Sequence, residues 1–156
     1  MSIIDGIDSH RKVAYFFGDS QPRPVVQGSV RLPRGPVQVQ LVFNSTSGGT
    51  CHHIDEELKY FKWRRNPDTV VVAAGTNNIG QSLRSACQEL RELLRTSLSL
   101  SDRVVCVSIA PRLDRKGDLV QTYNTAFAAV CEEEGTTWFG VTGSFPTSEK
   151  KLWARD

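Results

Sequence analysis

The sequence has no apolar run approaching the ~20 residues that a membrane-spanning helix requires. Its first residues carry no apolar core of the kind found in a secretory signal peptide. Its four cysteines lie far apart and form no C-x-x-C pair, which argues against a zinc site or a redox motif. They are Cys51, Cys87, Cys106 and Cys131. We therefore expect an intracellular, cytoplasmic protein with free thiols.

The chain also lacks a strong excess of charge. Its 19 basic and 17 acidic residues leave a net charge of +2, too little to indicate nucleic-acid binding by itself. No glycine-rich phosphate fingerprint follows the first predicted strand, which disfavours a nucleotide-binding protein. Asp19 and Asp114 belong to no cluster of metal ligands, so we predict no metal and no cofactor. Hydrophobic residues make up 39% of the sequence, an ordinary share for a soluble domain. A chain of 156 residues fits one domain and can bury enough surface to fold without a disulfide or a metal.

Five short apolar runs predict β-strands. Most of them are apolar at consecutive positions, which is typical of parallel strands covered by helices on both faces. The runs are Val13–Phe17, Val37–Phe43, Thr69–Ala74, Arg103–Ile109 and Thr136–Val141.

Amphipathic stretches between these runs predict three helices, near 53–65, 79–98 and 120–130. In the second helix the apolar stripe begins at Ile79, and Glu89 is among the charged residues that lie off the stripe. These apolar stripes are typical of core packing.

The alternation of strands and helices predicts an α/β fold, a three-layer α/β/α sandwich with a flavodoxin-like parallel sheet in the order 2-1-3-4-5. Residues 1–12 would form an N-terminal tail and residues 13–156 the domain, with an irregular connection over Gln21–Pro36. In such sheets, functional residues lie in loops at the carboxyl ends of the strands.

Small polar residues follow the first three predicted strands. The segments are Gly18-Asp19-Ser20, Ser47-Gly48-Gly49-Thr50 and Gly75-Thr76-Asn77-Asn78. A serine hydroxyl beside backbone N–H groups and an asparagine amide is suited to acyl transfer. The hydroxyl attacks a carbonyl carbon, and the N–H donors stabilise the negative charge of the tetrahedral intermediate.

In this order, and at strand ends, the three segments resemble blocks I to III of SGNH hydrolases, also called GDSL-type hydrolases. The resemblance implies that Ser20 is the nucleophile and that its N–H, the N–H of Gly48 and the side-chain amide of Asn77 form the oxyanion hole. Gly49, one residue out of register, is the alternative donor to Gly48. The family position after Asn77 is often Asp. It is Asn78 here, and we expect little chemical consequence because that residue is mainly structural.

The same resemblance places a D-x-x-H block near the C-terminus, whose Asp orients a histidine general base. Asp156 lies where that Asp is expected, and the sequence stops before the histidine. A serine hydroxyl is a poor nucleophile unless a base takes its proton, so the 156-residue chain is expected to be nearly inactive.

Three explanations for the missing base are open: a fragment that ends before the histidine, a relative that kept the fold and lost catalysis, or a base elsewhere in the chain. The proximity of Asp156 to its expected position favours the fragment. His10 belongs to the predicted tail, and His52 and His53 are expected to have structural or solvent-exposed roles.

A finer resemblance concerns Ala110-Pro111-Arg112 after the fourth strand and Tyr123-Asn124 in the next helix. These segments are similar to esterase-like domains of vertebrate transposable-element proteins, including first open reading frame proteins of LINE retrotransposons. The similarity implies short acyl ester or lipid-like substrates and leaves open a partner role on nucleic acid or a membrane surface. Two basic clusters occur, at Lys62-Trp63-Arg64-Arg65 and at Arg112–Lys116. Because the net charge is nearly neutral, we interpret them as solvated helix ends and loops, with a surface that binds phosphate groups as the less favoured alternative.

The three segments predict carboxylic ester hydrolysis by a serine mechanism. Because the histidine of the D-x-x-H block is missing from the 156 residues, we predict this activity for the intact protein. The alternative is an inactive binding or interaction module with the same fold.

Overall fold

The structure is a computed structural model that describes residues 11–19, 27, 38–114, 116–144 and 148. Five parallel strands form one sheet in the order β2-β1-β3-β4-β5, which confirms the predicted order. The strands are β1 (Lys12–Gly18), β2 (Val39–Ser45), β3 (Thr69–Ala73), β4 (Val104–Val107) and β5 (Thr137–Phe139).

Three α-helices connect the later strands: α1 (Cys51–Tyr60), α2 (Leu83–Leu100) and α3 (Gly117–Glu133). Helix α1 packs on α2 and α2 packs on α3, so the three form one layer against the sheet. Each of these helices connects two parallel strands by a crossover, and such crossovers are almost always right-handed. Because the chain moves across the sheet in one direction from β2 to β5, the three helices lie on the same face of the sheet. The predicted α/β class is therefore confirmed. None of the helices described by the structure is long and apolar enough to cross a membrane.

The central position of β1 sets the location of the site. Alternate β1 residues Val13, Tyr15 and Phe17 are almost completely buried, as the two-residue period of a strand requires for one face. Because β2 pairs with one edge of β1 and β3 with the other, the carboxyl end of β1 lies between theirs.

Helix α1 ends earlier than the predicted range 53–65, at Tyr60. The next residue, Phe61, is extended, and its ring packs edge-on against Tyr15 with a centroid distance of 5.8 Å. The Trp63 ring contacts the same tyrosine at 4.9 Å. Phe61 and Trp63 are two residues apart, and side chains with that spacing point to the same side only when the backbone is extended. The helix therefore ends before Phe61, which lets both rings pack on Tyr15.

Helix α2 begins at Leu83, not at the start of the predicted stripe. Ile79 is buried but lies outside the helix, and Gly80 follows it with φ +112°. Ser82 is the N-cap, since its hydroxyl accepts a hydrogen bond from the Ser85 N–H at 3.1 Å. The apolar stripe therefore combines a loop residue with the helical ones.

Candidate functional site

The end of β1 is held between the turns that follow β2 and β3. The Thr46 N–H donates to the Gly18 carbonyl at 2.8 Å, and the Asp19 N–H donates to the Ala73 carbonyl at 3.2 Å. The Ser45 hydroxyl donates to the Asp19 carbonyl at 2.7 Å, and Asp19 is fully buried. The first predicted segment is thus fixed at this point by both neighbours.

The turn after β2 contains two glycines with different steric requirements. Gly48 has φ +71°, in the left-handed region that favours glycine. Gly49 packs so closely that a Cβ would lie 2.9 Å from both Cγ2 and the carbonyl oxygen of Thr46. The Gly49 N–H donates to that same carbonyl at 2.9 Å. No hydrogen bond joins the Gly48 N–H to another of the described residues.

The turn after β3 brings Asn77 against the turn after β2. The chain turns at Gly75, which has φ +113°, and enters a short 3-10 helix over Thr76–Asn78. The Asn77 side-chain amide donates to the Gly49 carbonyl at 3.0 Å. The structure therefore places Asn77 beside the glycine turn that the sequence singled out.

Asn78 is fully buried and makes three side-chain hydrogen bonds. Its Oδ1 accepts from the Cys51 N–H at 2.9 Å, while its Nδ2 donates to Gln81 Oε1 at 3.0 Å and to Glu89 Oε2 at 2.7 Å. Sequence reasoning missed Glu89 because a glutamate off the apolar stripe of a helix is normally solvated. The side chain is instead partly buried and also accepts from the His52 N–H at 3.1 Å.

The two adjacent histidines lie exposed in the first turn of α1. His53 Nδ1 accepts a hydrogen bond from the Thr50 N–H at 3.1 Å and lies 3.0 Å from the Thr50 hydroxyl. This arrangement is a capping box, in which the side chain satisfies a backbone donor at the helix start. His53 therefore has a structural contact, and His52 is engaged through its backbone.

The loop after β4 supports the turn after β3. Arg112 Nη1 donates to the Thr76 carbonyl at 3.3 Å and to its hydroxyl oxygen at 3.1 Å. The same guanidinium forms an ion pair with Asp114, and hydrogen bonding to Arg112 lowers the pKa of that carboxyl. Arg112, which the sequence placed in a basic surface cluster, is thus a local contact of the third turn.

The Tyr123-Asn124 pair serves a similar purpose from α3. Asn124 is buried, accepts from the Ile109 N–H at 2.8 Å and donates to the Ile109 carbonyl at 2.9 Å. The Tyr123 hydroxyl donates to the Gln81 carbonyl. Both side chains fix loops at the carboxyl edge of the sheet.

Several predicted features lie outside the described residues. They are the nucleophile Ser20, the base-orienting Asp156, His10 with the rest of residues 1–10, and most of the connection over Gln21–Pro36. Of the predicted oxyanion donors, Gly48 and Asn77 are described, and their two turns are in direct contact.

Two cavities lined by described residues lie away from these turns. One of about 290 Å³ opens at the amino ends of the strands, against Lys12, Thr69 and Arg103. Another of about 290 Å³ lies beside α3, against Ser108 and Asn124. Within the described ranges, no three His, Cys, Asp or Glu side chains are grouped closely enough to hold a metal ion.

Comparison with known proteins finds likeness in structure and none in sequence. No protein-family model matches the chain, and no curated protein matches it. Acetylxylan esterase Axe2 from Geobacillus stearothermophilus superposes with a TM-score of 0.68 at 16% identity, covering 91% of this chain and 81% of that one. A GDSL-like lipase from Bacteroides thetaiotaomicron gives 0.69 at 14% identity, with 90% and 73% coverage.

A third similar structure is LAE5, an alpha/beta hydrolase enzyme from the metagenome of Lake Arreo, Spain. Its TM-score is 0.66 at 16% identity, covering 85% of this chain and 78% of that chain. Fold similarity alone does not establish function, because one fold hosts many activities. The chain therefore shares its α/β fold with an acetylxylan esterase, a GDSL-like lipase and an alpha/beta hydrolase.

Proposed function

We propose that this chain forms the core of a serine-dependent carboxylic ester hydrolase of the SGNH type that acts on short acyl esters. The observation that carries the proposal is the contact between the second and third turns, where the Asn77 amide donates to the Gly49 carbonyl, next to a Gly48 N–H that has no partner among the described residues. The esterase and lipase folds found by comparison support the same reaction class.

In the proposed mechanism, the Ser20 hydroxyl attacks the ester carbonyl carbon. Ser20 is bonded directly to Asp19, whose backbone is fixed by the neighbours of β1. The new Oγ–C bond forms, the C–O bond to the leaving alcohol breaks, and water then hydrolyses the acyl-serine. A base takes the serine proton in the first step and returns a proton to the leaving group.

The hydrogen bonds of the glycine turn favour Gly48 over Gly49 as the backbone donor. The Gly49 N–H is already committed to the Thr46 carbonyl, whereas the Gly48 N–H has no partner among the described residues. An asparagine amide carries two N–H donors, and the Gly49 carbonyl takes one from Asn77. We assign the other, with the N–H groups of Gly48 and Ser20, to the developing oxyanion.

The base in this proposal is the histidine of the D-x-x-H block, which Asp156 would orient. The 156 residues end at Asp156, so they do not include that histidine. His53 does not suit the role, because its Nδ1 accepts from the Thr50 N–H, so in the neutral imidazole the proton is on Nε2 and no lone pair remains to act as the base. The test therefore supplies imidazole in solution as a replacement base.

The experiment measures hydrolysis of p-nitrophenyl acetate with and without imidazole. With imidazole, the unmodified chain should hydrolyse the ester faster than Ser20→Ala does under identical conditions. Mass spectrometry of the unmodified chain should find an acetyl group on the peptide that contains Ser20. Asn77→Ala should lower the imidazole-supported rate by about 100-fold, the usual loss for one oxyanion donor. Ser99→Ala is the control and should retain the rate, because Ser99 is exposed on α2 near the amino ends of the strands, away from the three turns.

Equal rates for the unmodified chain and folded Ser20→Ala, with no acylated Ser20, would remove Ser20 from the mechanism. That result would favour the alternative, a catalytically inactive binding or interaction module with this fold. Acetyl esters are the first substrates to test because a structurally similar protein is an acetylxylan esterase.

A further inference from the structure

One carboxylate outside the three turns connects the elements that carry them. Glu89 lies on α2, and its Oε2 accepts from Asn78 Nδ2 at 2.7 Å and from the His52 N–H at 3.1 Å. Its Oε1 accepts from Gln81 Nε2 at 3.2 Å. A single side chain thus receives donors from the third turn, from the start of α1 and from the segment before α2.

The charge of Glu89 determines which way the buried Asn78 amide faces. With Nδ2 toward the carboxylate, Oδ1 is directed to the Cys51 N–H and accepts from it at 2.9 Å. The opposite orientation would set the Asn78 oxygen against an acceptor-only carboxylate and the NH₂ group against a backbone N–H. Both mismatches would be buried, where unsatisfied polar groups are costly.

The fixed amide controls the spacing of the two proposed oxyanion donors. Cys51 begins α1 just after the turn that contains Gly48, so the Asn78–Cys51 bond anchors the end of that turn. On the other side, Asn77 precedes Asn78 and donates to the Gly49 carbonyl. Two hydrogen bonds therefore hold the two turns together, one donated by Asn77 and one accepted by Asn78, and Asn78 is oriented by Glu89.

We infer that Glu89 is a positioning residue for the oxyanion hole, acting through Asn78 to keep the Gly48 N–H and the Asn77 amide in one register. The inference rests on the proposed function. Donors displaced from the developing oxyanion lose their effect on the transition state even when the protein stays folded.

The first variant is Glu89→Gln, which keeps the shape but removes the charge and one acceptor oxygen. In the imidazole-supported assay, kcat should fall by about tenfold while KM stays within about twofold, because donor alignment acts on the transition state. Glu92→Gln is the matched control. It lies on the same helix, is exposed, and bonds only the Gln88 side chain among the described residues, so it should leave kcat unchanged.

A second variant exchanges the polarity of the pair. Asn78→Asp alone sets a carboxylate against Glu89 and should also lower kcat. In the double variant Asn78→Asp/Glu89→Gln, the new carboxylate accepts from the new amide and still accepts from the Cys51 N–H, while the His52 N–H and Gln81 Oε1 each lose a partner. The double variant should therefore have a higher kcat than Asn78→Asp alone while staying below that of the unmodified chain, a non-additive rescue expected only for directly interacting groups.

A readout independent of activity separates this inference from the proposed function. In ¹H–¹⁵N spectra, the Asn77 side-chain amide and the Gly48 N–H signals should move in Glu89→Gln and in Asn78→Asp. In the double variant they should lie nearer to their positions in the unmodified chain than in Asn78→Asp alone. If no variant hydrolyses the ester, the proposed function fails while these signals still test the positioning role. The positioning role is overturned if Glu89→Gln leaves both signals and kcat unchanged, or if the folded double variant restores neither, even in part.

Discussion

Gly75 illustrates at the residue scale how closely the site is built against the core. Its φ of +113° lies where L side chains rarely go, and a Cβ there would lie 2.4 Å from Cε2 of Phe127 and 3.2 Å from Cδ1 of Ile109. Phe127 is itself fully buried and has little room to move. The turn that presents Asn77 therefore depends on the absence of a side chain.

Gly75→Ala should lower the free energy of unfolding by roughly 2–4 kcal/mol, since a buried clash adds to the cost of a left-handed alanine. Urea unfolding followed by circular dichroism measures the change. Gly135→Ala is the control, because Gly135 also has positive φ, +71°, but no atom lies within 4 Å of its Cβ position. It should cost only about 1–2 kcal/mol. Equal losses in the two variants would contradict the close packing against Phe127.

At the scale of helices and strands, the sequence predicts best where burial alone determines the structure. The five apolar runs predict the five strands because each must be covered, whereas their order was predicted from the flavodoxin-like fold. The boundaries of α1 and α2 were missed because they depend on particular contacts: the Phe61 and Trp63 rings against the core, and the Ser82 cap after Gly80. The spacing of hydrophobic residues does not reveal the ring contacts that end α1 or the cap that begins α2.

The same limit applies to the candidate site. Glycine and asparagine in turns gave a signal, and their positions were predicted through a family resemblance. Glu89 gave none, because its role arises from the packing of α2 against the start of α1, a contact between residues 37 apart in sequence. Arg112 was likewise interpreted as surface until its contact with Thr76 was known.

The connection between α3 and β4 yields a prediction about elements. Asn124 satisfies both the N–H and the carbonyl of Ile109 just beyond β4, in a buried position. Asn124→Ala would leave two buried backbone groups without partners and should lower the free energy of unfolding by about 2–4 kcal/mol. Thermal and urea unfolding measure this loss.

Two further variants control that measurement. Thr125→Ala, an exposed neighbour on the same helix, should change stability by less than about 0.5 kcal/mol. Asn124→Asp sets a buried carboxylate against the Ile109 carbonyl oxygen, so at neutral pH it should cost at least as much as Asn124→Ala. A loss in Asn124→Ala no larger than in Thr125→Ala would show that water replaces the side chain.

At the scale of the whole molecule, strand order explains where the candidate site lies. The chain leaves β1 for β2 on one edge and later returns to β3 on the other, so loops diverge at the carboxyl end of β1. Ligand sites in open parallel sheets lie at such switch points. The convergence of the first three turns therefore follows from topology, whereas the geometry of the proposed oxyanion donors depends on the local contacts of Asn77, Asn78 and Glu89.

Whole-molecule stability should fall at alkaline pH because thiols are buried. Burial, with the charges of Glu89 and Asp19, raises the pKa of the Cys51 thiol well above the ordinary value of 9.0. Below pH 9 the thiol is protonated in both the folded and the unfolded chain, and its contribution to stability is fully present. Above pH 9 the unfolded chain releases the proton first, so stability is lost as pH rises toward the folded-state pKa.

The loss from one such thiol is limited to about 1.4 kcal/mol per pH unit, the free energy of one bound proton. Urea unfolding at about pH 8.5, 9.5 and 10.5 should therefore show a shallower decline for Cys51→Ala than for the unmodified chain, whatever the constant offset from the lost side-chain volume. Cys87→Ala is the matched control, because Cys87 is partly exposed and burial raises its pKa less. Its slope should stay nearer that of the unmodified chain. Parallel declines for the unmodified chain and Cys51→Ala would mean that water reaches the Cys51 thiol in the folded protein and that the first turn of α1 is open to solvent.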